Sequence, residues 1–136
     1  MMCGAPKKRI ELLSPAGSME ALVAAVNAGA DAVYLGVGRF NARRRAENFA
    51  GEALAEAVDY AHLRDVKVYA ALNALVRNRE IEEFAESVRE ACLAGVDAII
   101  VQDWGAAEIV RQMAPGMRLH ASTQINAHNS PTLDLL

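Results

Sequence analysis

Two stretches of this chain carry the residue types that chemistry needs. The first is residues 34–49, YLGVGRFNARRRAENF, where an apolar run gives way to two glycines, an aromatic, Asn41 and three consecutive arginines, Arg43, Arg44 and Arg45. Amide and guanidinium groups there offer forked donors to a phosphate, a carboxylate or another polar ligand. A charge run also suits a solvated face, so only Asn41 and Arg43 are assigned to a site, and the other two arginines are left to the surface. The second is residues 118–124, RLHASTQ, in which His120, Ser122 and Gln124 alternate with Leu119, Ala121 and Thr123. Imidazole titrates near neutral pH, which makes His120 the acid/base candidate. Its competing role is a histidine hydrogen-bonded to fill an interior.

Further polar residues stand where apolar runs end. Asn73 and the pair Gln102-Asp103 close two such runs, and Tyr34 lies near the end of another. Asp103 is equally suited to cap the helix that follows it. Glu11 is a general-base candidate, but it comes early in its strand, where a structural ion pair is the better reading. His62, on a helix, and His128, in the last loop, read as peripheral, and Trp104 as packing over a mouth rather than binding a base. Cys3 and Cys92 fit no metal spacing and no disulfide framework. Cys92 falls on an apolar helix face, where a free cysteine acts as a small hydrophobe. No metal set, nucleophile elbow, P-loop or His-Glu-x-x-His motif is present.

The elements that must hold these residues alternate between strand and helix. Apolar runs at residues 10–13, 32–35, 67–72, 98–101 and 118–122 read as strands. Between them, Met19, Leu22, Val23 and Val26 follow a Ser18 cap at helical spacing. Leu54, Ala57, Val58 and Ala61 make a second stripe. Ile81, Phe84, Ala85 and Val88 make a third, after an Asn78 cap, and Ala106, Ile109, Val110 and Met113 a fourth. Each helix therefore offers one face to a sheet. Residues 28–33, AGADAV, are echoed by residues 94–99, AGVDAI, which supports a repeated βα unit.

Parallel strands need crossovers, and winding in one direction gives a (β/α) barrel while winding in both gives an open sheet. No Gly-x-Gly-x-x-Gly follows the first strand, which weakens a dinucleotide-binding fold. Ser130-Pro131 opens a fifth helix. A whole barrel takes about 250 residues, whereas this chain has 136. The expectation is an α/β fold of the TIM-barrel type, about its first half: roughly five parallel strands and four helices over residues 9–136, behind a frayed 1–8. Its open edges would invite self-association.

Side-chain alternation then sorts the polar residues. If Leu119, Ala121 and Thr123 meet the helices, then His120, Ser122 and Gln124 face the barrel axis. The same parity turns Glu11, Leu13, Tyr34, Gly36, Tyr69, Ala71, Asn73, Ile100 and Gln102 inward. Barrel interiors are usually branched and apolar; one this polar points to a ligand site at Tyr34, Asn41, Arg43, Asn73, Gln102, Ser122 and Gln124, with His120 beside them.

Composition narrows the partners. Hydrophobic residues make up 53% and charged residues 23%, as in ordinary soluble globular chains. The net charge of −3 argues against non-specific nucleic-acid binding by the whole surface, though not against a local basic patch. Aromatic residues, at 5%, are too few for a base-stacking platform. The N-terminus lacks the apolar core of a signal peptide, and no run approaches the roughly 20 residues that span a bilayer. The expected location is the cytoplasm.

Taken in order, residues 11–21 (ELLSPAGSMEA), 28–36 (AGADAVYLG), 40–43 (FNAR), 101–103 (VQD) and 120–124 (HASTQ) resemble the N-terminal region of the U32 peptidase family, the collagenase-like proteases. The resemblance runs from about Arg9 onward. It implies a barrel-type N-terminal domain and a polypeptide substrate. Several members of that family are RNA-hydroxylation factors for transfer or ribosomal RNA, and others act in oxygen-independent quinone hydroxylation, so RNA modification, with an RNA substrate, is the second expectation after a peptidase. The hydroxylation members use cysteines of a later segment, which can hold an iron–sulfur cluster. Neither Cys3 nor Cys92 matches those ligands, so no cofactor is expected in this chain. A non-catalytic half-barrel that needs a partner or a C-terminal half is the third expectation.

Overall fold

The computed structural model describes residues 10–42 and 48–134. The expectations for the 1–8 segment, Cys3 and Arg43–Arg45 fall outside them. The strands are β1 (Leu13–Pro15), β2 (Ala32–Gly36), β3 (Lys67–Leu72), β4 (Ala98–Val101) and β5 (Arg118–Ala121). They alternate with helices α1 (Met19–Asn27), α2 (Gly51–His62), α3 (Ile81–Ala94) and α4 (Trp104–Met113), and a short α5 (Ser130–Leu133) follows β5. Each strand pairs in parallel with the one before it, in the order β1-β2-β3-β4-β5.

That order comes from winding in one direction, and the burial agrees. Val33, Leu35, Val68, Ala70, Leu72, Ile99 and Val101 point to the side where Leu22, Leu54, Val58, Phe84, Val88 and Val110 of the four long helices pack. The opposite face carries Ala32, Tyr69 and Ala98, with Tyr34 and Ile100 against them. Among the described residues the four long helices cover one face only, as in an arc of a (β/α) barrel, where an open doubly wound sheet would be covered on both. Phe84 is fully buried, and its ring meets Phe40 edge to face at 5.5 Å.

The sequence echo has a structural cause. Gly29 and Gly95 both adopt left-handed φ angles, 89° and 82°, just past α1 and α3. In each turn the next N–H returns to a carbonyl five residues back, Ala30 to Ala25 and Val96 to Ala91. The aspartate that follows is also used alike. Asp31 Oδ2 accepts from the backbone N–H of Leu12 at 2.9 Å, and Asp97 Oδ2 from that of Val68 at 2.8 Å. Each aspartate thus binds the incoming chain to the strand beside it.

Three local expectations need correction. The first strand lies at Leu13–Pro15, not at 10–13, because its ladder to β2 starts where Leu13 meets Ala32. Pro15 is tolerated because β1 is an edge strand. The third helix buries Phe84, Ser87, Val88 and Ala91, and leaves Ile81 40% exposed. Asn78 does not cap it; a 3-10 turn, Asn78–Glu80, precedes Ile81, with Glu80 Oε2 accepting from the Arg77 N–H at 3.0 Å. Ser18 does cap α1, accepting from the Ala21 N–H at 3.2 Å.

Candidate functional site

The expected inward parity gathers one set of residues. Paired positions along the ladders place Gly36, Ala71, Ile100 and His120 in one row across the sheet. Tyr34, Tyr69, Ala98 and Arg118 form the row below, nearer the strands' N-terminal ends. Above these rows a cavity of about 480 Å³ opens at the C-terminal ends of the strands. Its lining includes Tyr34, Asn41, Asn73, His120, Ser122 and Gln124, with Leu13, Ala71 and Ile100 as apolar wall. Its volume lies in the range of small-molecule sites, about 300–1,000 Å³.

The loop after β2 is shaped by one crowded contact. Val37 and Phe49 form a bridge that closes the loop's neck, with Phe49 N–H on Gly36 O and Gly38 N–H on Phe49 O. Asn41 turns back into the loop and is buried, its Nδ2 donating to Gly38 O at 3.0 Å and to Asn48 Oδ1 at 2.9 Å. A Cβ at position 36 would lie 2.9 Å from the Asn41 amide and 2.8 Å from Asn48 Oδ1. Gly36 is therefore a packing requirement, and Asn41 lines the cavity while its amide hydrogens hold the loop.

Asn73 links three walls. Its Oδ1 accepts from the backbone N–H of Ala42 at 3.1 Å, and its Nδ2 donates to Ser122 Oγ at 3.4 Å. Ser122 Oγ also accepts from the Gln124 backbone N–H at 3.3 Å. Ser122 is buried, while Gln124 is exposed at the rim. Ala42 and Asn48 were not singled out from sequence. A backbone donor leaves no trace in residue type, and Asn48 gave only the weak signal of an amide just before a helix.

Under the cavity floor lies a charged network. Glu11 accepts from Tyr69 Oη at 2.6 Å and from Lys67 Nζ at 2.7 Å. These two hydrogen bonds, Lys67 foremost, hold the Glu11 carboxyl below its ordinary value. Burial, and then the Glu11 carboxylate, push the Tyr69 phenol up to about 12. The Tyr69 ring meets His120 edge on, with centroids 4.7 Å apart. Glu11 is thus a structural ion-pair partner, and its carboxylate fixes the tyrosine that supports His120.

Gln102 is not brought to this cavity. Strand β4 ends at Val101 and the chain turns at once into α4, so Gln102 lines a separate depression with Asp103, Trp104 and Leu75. Asp103 caps α4 through Oδ1, which accepts from Ala106 N–H at 3.0 Å, and its Oδ2 accepts from Val76 N–H at 3.3 Å. His62 pairs with Asp97 at 2.9 Å, at the opposite end of the strands from the cavity. His128 is exposed. Cys92 is half-buried against the helix-side core, and burial pushes its thiol up. Among the described residues no three His, Cys, Asp or Glu side chains converge on a metal position. Cys92, the one cysteine among the described residues, offers a single partly buried thiol, whereas an iron–sulfur cluster is held by several thiolates. Among the same residues, no helix is long and apolar enough to cross a membrane.

A one-way arc of parallel strands with helices on one face and a polar cavity at the strands' C-terminal ends defines an α/β protein of the (β/α)-barrel type, incomplete in the described residues. The chain belongs to peptidase family U32, whose model matches residues 17–136. It is 42% identical over 123 residues to an uncharacterized protease of Methanocaldococcus jannaschii, covering 90% of this chain and 30% of that one. It is 41% identical over 127 residues to tRNA hydroxylation protein P of Helicobacter pylori, covering 93% and 30%. A collagenase of Porphyromonas gingivalis is 35% identical over 124 residues, covering 90% and 30%. The chain thus spans less than a third of the length of these relatives. The solved structure of the U32 peptidase Mk0906 shares the fold, with a TM-score of 0.59 at 16% identity, over 87% of this chain and 51% of that one.

Proposed function

We propose that this chain forms the substrate-holding wall of an RNA hydroxylation protein, and that its cavity receives a nucleobase. The observation that carries the reading is the character of the lining. Its polar groups are neutral amides, hydroxyls and one imidazole: Asn73, Ser122, Gln124, Tyr34 and His120. Such groups suit the donor and acceptor edges of a heterocycle extracted from a single strand. Among the described residues no serine or cysteine is hydrogen-bonded to a histidine, the arrangement that activates a peptidase nucleophile. The similarity to a tRNA hydroxylation protein over 93% of this chain supports the same reading. A protein with this task would work in the cytoplasm.

Within that reading, His120 sits against the substrate base and exchanges a proton with it, while Asn73 and Ser122 hold the base in register. The oxidation itself belongs to groups outside the described residues. The test is deletion of the gene, followed by digestion of total RNA and mass spectrometry of the nucleosides. The expected result is loss of a nucleoside one oxygen heavier than its parent, restored by the full-length gene but not by its His120→Ala form. An unchanged nucleoside profile would count against the proposal. Cleavage of a collagen-like peptide by the full-length protein would favour peptidase chemistry instead.

A further inference from the structure

The separate depression that holds Gln102 lies beside the main cavity and shares a wall with it. Gln124 lines both. The second depression measures about 340 Å³, and its other lining residues include Trp104, Leu75, Gln102 and Asn126. Trp104, the one tryptophan of the chain, is half-buried and is not among the residues packed on either core cluster. Beside Leu75, which is 68% exposed, the indole lines an open hollow next to the side chains of Gln102, Gln124 and Asn126.

The hollow is held in shape by bonds that do not use those groups. Asp103 spends one oxygen on the Ala106 N–H and the other on the Val76 N–H, which joins the loops after β3 and β4. The Ile125 N–H returns to Ser122 O at 3.0 Å, which folds the segment after β5 back over the strand end. An aromatic face with an apolar neighbour and amide groups around it matches a base laid flat on an aromatic and read at its edge by amides.

Resting on the RNA reading above, we infer that this hollow is a second base-binding subsite. It takes the nucleotide next to the target, stacked on Trp104, with Gln102 and Asn126 reading its edge. The protein would then recognise a target base together with its neighbour. Low aromatic content speaks against an extended stacking platform, but one base needs only one indole.

The test is binding of a fluorescein-labelled oligouridylate of about eight nucleotides, within the usual site size for such strands, to the full-length protein. Removing a stacked base's aromatic partner costs about 1–3 kcal/mol, so Trp104→Ala is expected to weaken binding by about 5- to 150-fold. Trp104→Phe should recover most of it, Gln102→Ala should weaken it several-fold, and RNA should quench the component of tryptophan emission that Trp104→Phe removes. Unchanged binding by folded Trp104→Ala overturns the inference while leaving the RNA reading intact, provided His120→Ala still weakens binding. If Trp104→Ala fails to fold, unchanged binding by Gln102→Ala with no quenching overturns it equally. Absence of RNA binding by the unaltered protein, or displacement of RNA by a collagen-like peptide, overturns both.

Discussion

The Gly36→Ala substitution tests the contact that shapes the cavity loop. Gly36 is an ordinary strand residue with no positive φ. The backbone therefore accepts alanine, and the added methyl acts through space alone. It would meet the Asn41 amide at 2.9 Å and Asn48 Oδ1 at 2.8 Å, distances real Cβ atoms do not show. Asn48 is exposed and can swing away, but Asn41 is 2% exposed and held by two hydrogen bonds. Overpacking of one methyl costs about 1–3 kcal/mol, and a displaced hydrogen bond adds about 1 kcal/mol. Alanine's lower entropy in the unfolded chain offsets about 0.4–1 kcal/mol. The net expectation is a loss of about 1–3.6 kcal/mol from these three contributions, read as a lower urea midpoint at constant slope.

A double-mutant cycle separates this cause from general damage. Asn41→Ala alone strands the Gly38 carbonyl and costs about 1–3 kcal/mol. In the double mutant the methyl added at position 36 moves into the space that Asn41 vacates, so the two losses should fall short of their sum by at least about 1 kcal/mol. Additive losses, agreeing within about 0.5 kcal/mol, would refute the steric reasoning, as would a neutral Gly36→Ala.

Phe84→Ala, at a fully buried site facing Phe40, should cost about 3–5 kcal/mol in urea unfolding. Asp103→Ala removes the α4 cap and the partner of Val76 N–H, and should cost about 1–2 kcal/mol by the same measurement. The Glu11 carboxyl is lowered in the folded protein, so its contribution is full above the unfolded value of about 4.5 and is lost as pH falls through the lower folded value. Glu11→Gln should flatten the stability profile in that acid window, by no more than about 1 kcal/mol for so exposed a pair. The Tyr69 phenol is raised to about 12, so its contribution is full below about pH 10 and fades as pH rises through 12. Phenolate absorbance should show one tyrosine titrating near pH 12, absent in Tyr69→Phe.

Strands and helices were legible in the sequence where burial is one-sided. The 67–72 and 98–101 runs coincide with β3 and β4, and the Leu54, Ala57, Val58 and Ala61 stripe is buried in full. The third stripe was misread because Ser87 and Ala91 are small enough to face the core, while Ile81 stands at the helix entrance and stays half in solvent. Strand β1 was misplaced because Ile10 and Leu12 are apolar yet exposed, at 90% and 56%. Parity holds for Tyr34 and His120, which stand within strands and line the cavity. Asn73, Ser122, Gln124 and Gln102 all lie past their strand ends, where alternation no longer sorts them: Ala121 and Thr123, expected against the helices, line the cavity as well, while Gln102 turns away with the start of α4.

The same geometry gives the two hollows a common origin. Ala42 N–H, Asn73, Ser122 Oγ and Gln124 N–H form one run of hydrogen bonds from the loop after β2 to the segment after β5. Nothing in that run is charged, so its strength depends on mutual alignment and on exclusion of water around Ser122. Gln124 stands at its end and on the boundary between the hollows, so its backbone position is set by the same bonds that align the target-side wall. A ligand that pulls Asn73 toward the main cavity would act on the same Ser122 Oγ that accepts from the Gln124 N–H. On the RNA reading proposed above, that shared hydroxyl is the link between the two hollows through which the fit of one base could reach its neighbour.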